Sequence, residues 1–157
     1  MRVLALDQAT NVTAWCLWDN GAPSKFGLID LHLEKAIELR MEEMCQYVRY
    51  LIYHYSPSLL AIEDVSFQRD PNALINLARL QGRIIQIAYD FGIPVVFYKP
   101  SAWRSAVGIQ TGKGIKREQL KQAAMELIEQ QYGVKVVDDI AEAICIGKCA
   151  LMKTKGF

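Results

Sequence analysis

With 157 residues, 52% apolar and 22% charged, the chain can bury a full hydrophobic core without disulfides or a structural metal, which excludes the disordered and disulfide-stapled classes. The formal net charge of +1 leaves any polyanionic partner to be met by local charge. No apolar run approaches the roughly 20 residues of a membrane span, and the opening residues lack the marks of a signal peptide, so a single cytoplasmic domain over residues 1–157, with no membrane partner, is expected.

The first third predicts three strands, residues 2–7, 13–18 and 25–31, with Asp19-Asn20-Gly21 marking a turn between the second and third. A helix over 34–54 follows; its Ile37, Met41, Met44, Val48 and Leu51 fall three and four apart on one stripe. The acids Asp30, Glu34, Glu38, Glu42 and Glu43 are assigned to it. Residues 59–62 form a short apolar strand that runs into Glu63-Asp64. Pro71 and Asn72 open a second helix reaching Phe91, apolar at Leu74, Leu77, Ile84, Ile85 and Ala88; Gly92 closes it and 94–98 form a fifth strand. Residues 101–114 read as a short helix and a glycine-containing loop. A third long helix covers 118–131, and a last one begins near Asp139. Early hairpins imply antiparallel pairing and the helix-separated strands imply parallel crossovers. The expected fold is α/β: a mixed five-stranded sheet, three antiparallel strands then parallel ones, with helices on both faces.

Cys16, Cys45, Cys145 and Cys149 have no CxxC spacing and no histidine-rich partner, and read as buried free thiols. Asn11-Val12-Thr13 matches a glycosylation sequon that an unsecreted chain would not use.

Acids fall beside apolar structure in three places. Asp7 ends the first strand, Glu63 ends the fourth, and Asp138, Asp139 and Glu142 cluster at the start of the last helix. In an open sheet, sites form at the carboxyl ends of strands, and parallel neighbours end on the same side. If strands one and four are neighbours, Asp7 and Glu63 lie close together. Asp139 and Glu142, three apart, can both project from one helical face toward that end. Carboxylates gathered in this way share protons or bind cations, and oxygen-only ligands suit Mg²⁺ or Mn²⁺. Two such ions, roughly 3.5–4 Å apart, activate a water and stabilise the leaving oxygen of a phosphodiester. Each acid also has a structural reading. Asp139-Ile140-Ala141-Glu142 fits a capping box, and Glu63-Asp64 fits a strand-end turn. Asp7 is harder to read that way, because a charge on a central strand is costly without partners.

The order of acids resembles that of the ribonuclease H superfamily, and within it the RuvC-type Holliday junction resolvases. The resemblance runs nearly end to end. Its most specific stretch is AIEDVSFQRDPNALINLARLQG, Ala61 to Gly82, similar to the family's second acidic motif with Glu63 as metal ligand. YKPSAWRSAVG, Tyr98 to Gly108, resembles the segment leading to the basic DNA-binding loop, and DDIAEAI resembles the final acidic motif, matching at Asp139, Glu142 and Ala143. The family often has Asp-Pro-Gly after strand one, where this chain has Asp7-Gln8-Ala9; its last ligand is usually Asp, where this chain has Glu142. These departures point to a divergent or phage-encoded branch. The resemblance implies a homodimeric endonuclease that nicks four-way DNA junctions, with Asp7, Glu63, Asp139 and Glu142 both catalytic and metal-binding. Phe67, offset by about one residue from the aromatic that family members use near the junction centre, is either a junction contact or a core residue.

Charge is divided along the chain. Lys99, Arg104, Lys113, Lys116, Arg117 and Lys121 are opposed only by Glu118 over that stretch, and Gly108, Gly112 and Gly114 interleave with them. A flexible basic loop beside an acidic site suits a phosphate backbone; a solvated helix face is the alternative. Lys99, Arg104, Lys113, Lys116, Arg117 and Phe67 are the candidate DNA contacts, while the acidic first helix is expected to face away from DNA. Surplus apolar residues on the second helix, Ile75 and Ile87, are candidates for packing against the same helix of a second copy. Other functions remain open: a nuclease acting on RNA or an RNA–DNA hybrid, or a junction-binding protein without catalysis. The actin and sugar-kinase ATPases share a first strand ending in an acid. They need a second glycine-rich phosphate loop and paired domains, which this chain lacks.

Overall fold

The computed structural model describes residues 1–67 and 69–154. Its elements in chain order are β1 (Val3–Asp7), β2 (Val12–Asp19), β3 (Ala22–Asp30), α1 (Ile37–Tyr55), β4 (Leu59–Glu63), α2 (Pro71–Asp90), β5 (Val95–Tyr98), α3 (Pro100–Val107), α4 (Arg117–Tyr132) and α5 (Asp138–Thr154). The five strands form one sheet in the order β3-β2-β1-β4-β5. β2 runs antiparallel to both β1 and β3, while β4 is parallel to both β1 and β5. The expected mixed sheet is therefore present, and strands one and four are neighbours, with Leu6 paired to Ile62.

β1 and β4 are apolar almost throughout because helices cover both faces of the sheet centre. Side chains alternate across β1. Val3 and Ala5 face α3, α4 and α5, packing in one cluster with Trp103, Ile128 and Ile144. Leu4 and Leu6 face α1 and α2, packing with Met44, Val48 and Ile84. α5 lies close against the sheet. The Trp18 indole N–H donates to the Ile144 carbonyl at 3.1 Å, and the Tyr132 ring meets Trp18 edge-on with centroids 5.4 Å apart. Gly147 allows this approach: a Cβ there would come within 2.3 Å of Trp18 Cδ1.

Several boundaries differ from the sequence expectation. β3 begins at Ala22 and includes Pro23, which an edge strand tolerates because its missing N–H breaks no essential ladder bond. α1 begins at Ile37, after a turn in which the Glu34 carboxylate accepts from the Ala36 N–H at 2.8 Å. Asp30 closes β3 and Glu34 precedes α1, so neither belongs to the first helix as expected. Ile87 is buried in the cluster shared by α1 and α2 and is not available to a second copy, whereas Ile75 is exposed. The four cysteines are buried and free. No helix of the described residues is long and apolar enough to cross a membrane.

Candidate active site

The carboxyl ends of β1 and β4 open into a cleft of about 690 Å³, lined by Asp7, Glu63, Asp139 and Glu142 and by the basic Arg104, Arg117 and Lys121. Asp7 reaches it because strand alternation points it, like Ala5, toward α5. Asp139 and Glu142 reach it from the first turns of α5, three residues apart on one face. Carboxylate oxygens of Asp7, Asp139 and Glu142 lie within 4.8 Å of one another.

Glu63 lines the same cleft but stands apart from that trio. Its Oε2 accepts from the Trp103 indole N–H at 2.6 Å, and its main-chain carbonyl accepts from Gln81 Nε2 at 3.0 Å. Trp103 is fully buried, and nothing in its sequence context marks it as a partner of Glu63; its apolar face belongs to the core and only its N–H reaches the site. Gln8 is buried beside Asp7; its side-chain amide has no hydrogen-bond partner among the described residues.

The capping-box reading of α5 does not hold. Asp139 lies inside the helix, and its N–H is accepted by Asp138 Oδ1 at 3.0 Å. Glu142 does not reach back to the helix start. It is buried and accepts from Arg104 Nη2 at 2.7 Å. Lys121, on α4, donates to Asp138 Oδ2 at 2.5 Å and to Asp139 Oδ1 at 3.2 Å. Sequence reading counted Lys121 among the basic residues but gave it no role at the acids.

Electrostatics confirm the crowding. Burial, then the carboxylates of Glu63, Glu142 and Asp139, push the Asp7 carboxyl well above its usual range. Burial also raises Glu63, opposed by the Trp103 hydrogen bond and by Arg104. The Lys121 hydrogen bond holds Asp138 below its usual range. Burial alone would lower Lys121, but the bonds to Asp138 and Asp139 carry it upward. Burial and neighbouring carboxylates that raise Asp7 and Glu63 make added positive charge favourable there, and the oxygens of these acids are all hard donors. That chemistry fits divalent cations of the magnesium class.

The candidate DNA contacts divide into two groups. Arg104 and Arg117 line the cleft. Lys99 lines a second, adjoining cavity together with Phe67 and Thr111. Phe67 lines both cavities and is 85% exposed, so it is not a core residue. Lys113 and Lys116 are exposed but line neither of these two cavities; Lys116 is the N-cap of α4.

A family model described as "Crossover junction endodeoxyribonuclease RuvC" matches residues 22–150. Two curated relatives carry the same description. One, from Thermomicrobium roseum, is 25% identical over 152 residues, covering 95% of this chain and 91% of its own length. The other, from Syntrophomonas wolfei, is 26% identical over 155 residues, covering 96% and 88%. The structure of T. thermophilus RuvC in complex with a Holliday junction substrate superposes with a TM-score of 0.80 at 16% identity, covering 99% of this chain and 96% of that one.

Proposed function

The chain belongs to the crossover junction endodeoxyribonuclease RuvC family, and from that premise we propose that it nicks four-way DNA junctions by metal-dependent phosphodiester hydrolysis. The observation that carries this reading is the meeting of Asp7, Asp139 and Glu142 within 4.8 Å in a cleft that also holds Glu63 and three basic side chains. Asp7, Glu63, Asp139 and Glu142 would hold the ions, with Mg²⁺ or Mn²⁺ as the fitting metals and two ions as the fitting number. When bound, such ions supply an activated water and neutralise charge on the leaving oxygen.

The chain's own residues bind and orient the substrate. Arg104 and Arg117 draw a phosphate into the cleft, while Lys99, Lys113 and Lys116 meet flanking phosphates on the rim. Phe67 projects at the mouth, where an exposed aromatic can stack on an unpaired base. Trp103 fixes the rotamer of Glu63 through its N–H, as supporting residues around metal ligands commonly do. A homodimer supplies the second nick. Its supporting surface is the outer face of α2, where Ile75, Gly82 and Tyr89 recur seven residues apart and all are exposed.

The test is incubation of the protein and Mg²⁺ with labelled four-way junction, linear duplex and RNA–DNA hybrid. Paired nicks across the junction, with the other substrates intact, are expected. Cleavage of the RNA strand of the hybrid with the junction intact would replace this reading with a ribonuclease. Junction binding without any cut would replace it with a binding protein.

A further inference from the structure

Two of the cleft's acids are already neutralised by the chain itself. Arg104 Nη2 bonds Glu142 Oε1 at 2.7 Å, with side chains 15% and 7% exposed. Lys121 Nζ lies 3.2 Å from Asp139 Oδ1 and also holds Asp138. The two cations come from different helices, α3 and α4, and both line the cleft. Arg104 lies with its guanidinium 4.6 Å from the Trp103 ring centroid, and Trp103 in turn holds Glu63. Adjacent residues of α3 therefore tie down two acids from different elements, Glu63 at the end of β4 and Glu142 on α5.

The buried Arg104–Glu142 pair is a strong competitor for its carboxylate, because breaking it leaves a charge without a partner in a poorly solvated place; the Lys121–Asp139 pair, with side chains 23% and 39% exposed, competes less strongly. Yet Asp139 and Glu142 are the oxygens that divalent ions need. Glu142 carries one carboxylate oxygen to Arg104 while an oxygen of the same group lies within 4.8 Å of those of Asp7 and Asp139.

We propose that Arg104 and Lys121 are resident counter-ions, positioning residues that hold Glu142 and Asp139 in the free protein and give way when divalent ions and a DNA phosphate enter the cleft together. A phosphate drawn to Arg104 and Lys121 withdraws them from the carboxylates and leaves those oxygens for metal. Metal and DNA then each favour the other's binding by the same factor, as linkage requires. The protein holds its ions weakly until substrate is present, which limits cutting elsewhere. This inference rests on the metal-site reading above.

The test is Mn²⁺ binding to the free protein, followed by electron paramagnetic resonance of unbound Mn²⁺, and repeated with a four-way junction of slowly cut phosphorothioate linkages. Arg104→Gln and Lys121→Gln should each bind Mn²⁺ about tenfold more tightly than the parent chain in the absence of DNA, the order expected for removing one close cation. Arg104→Lys, which keeps the charge, should stay near the parent affinity. The junction should tighten Mn²⁺ binding in the parent chain and do so much less in the double Gln variant. A misfolded variant would bind less tightly, so the direction of the change separates charge from damage. Unchanged or weaker binding in either Gln variant, with a circular dichroism spectrum and melting temperature like the parent's, would overturn the counter-ion role of that residue and leave the metal site standing. Parent-like Mn²⁺ binding by Asp7→Asn would overturn the metal site itself, and the counter-ion role with it.

Discussion

β1 sends Leu4 and Leu6 to one face of the sheet and Ala5 and Asp7 to the other, and the two faces keep their polar groups in different places. On the face covered by α1 and α2, the ion pairs Arg83–Glu42 and Arg49–Asp90 lie at the surface, with partners about half exposed. Such exposed pairs are screened by solvent and add little to stability. On the face covered by α3, α4 and α5, the ion pair Arg104–Glu142 is buried at the end of the sheet, and Asp7 has burial and three other carboxylates acting on it. One face is organised for cohesion. The other places α5 close enough to the strands to bring its first-turn acids to Asp7, and it retains electrostatic tension there. This division can be broken at several points.

The largest effect belongs to the acids. Asp7→Asn, Glu63→Gln, Asp139→Asn and Glu142→Gln should each lower junction nicking by more than about a hundredfold, since each removes a charged oxygen from the ion-holding set. Junction binding in a gel-shift assay should survive, because the same acids repel phosphate. Asp138→Asn is the control. Asp138 bonds Lys121 and the amide of Asp139 and lies outside the close trio, so its variant should keep most activity. Equal activity in Asp7→Asn and the parent chain would remove the distinction between the two faces.

These acids were legible in the sequence for a physical reason. A carboxylate at the tip of a central apolar strand is expensive without partners, and the alternation of parallel strands and helices made β1 and β4 plausible neighbours. What the sequence did not show is how the acids are held. Trp103 and Gln81 look like ordinary core and helix residues, because their contacts to Glu63 use one polar atom on an otherwise packed side chain. The Asp139-to-Glu142 spacing also fits a capping box, which the start of α5 at Asp138 rules out, and the Arg104 that Glu142 meets instead lies far away in the sequence. Ile87 shares helical periodicity with exposed positions, and which stripe of α2 is buried depends on where α1 packs.

The next effect is on stability and belongs to the closeness of α5. Gly147→Ala places a methyl group against Trp18, which is anchored by its bond to the Ile144 carbonyl and by Tyr132. Overpacking of this kind costs about 1–3 kcal/mol, read as a lower urea midpoint with an unchanged slope. Gly82 on α2 has nothing within 4 Å of an added Cβ. Gly82→Ala should therefore leave the midpoint near its parent value or raise it slightly, through better helix propensity. A similar loss at both glycines would mean that the two faces are equally intolerant.

A smaller effect separates the cleft from its rim. Neutralising Lys116 and Arg117 together should weaken junction binding and reduce the slope of log K against log salt by about two units, close to one per lost phosphate contact. Lys116 is exposed at the N-cap of α4 and Arg117 begins that helix, so neither substitution disturbs the core. An unchanged slope would return this stretch to a solvated helix face.

The smallest effect tests whether the α5 face is under tension before any ion binds. The Asp7 carboxyl is raised above its unfolded value, chiefly by burial and then by Glu63, Glu142 and Asp139. Between the two values the folded state binds more protons than the unfolded one, so ion-free stability falls as pH rises from the ordinary carboxylate range, about 3.9, through the raised value. Asp138 works in the opposite sense. Held low by Lys121, it contributes stability that is lost on acidification. At neutral pH, above the ordinary carboxylate range, Asp7 is a net burden in the ion-free protein, and Asp7→Asn should raise the melting temperature, by roughly 2–4 °C for each kcal/mol relieved in a chain of this size. That rise should shrink as pH falls and Asp7 becomes protonated in the parent chain. Addition of Mg²⁺ should stabilise the parent and leave the variant nearly unmoved, because only the parent gains from placing a cation among ionised acids. Calorimetry across pH, with and without Mg²⁺, distinguishes this from a merely structural Asp7, whose replacement would lower the melting temperature at every pH. One substitution would then abolish cleavage and stabilise the fold, as expected of an acid positioned for chemistry at the stability cost of the face that carries it.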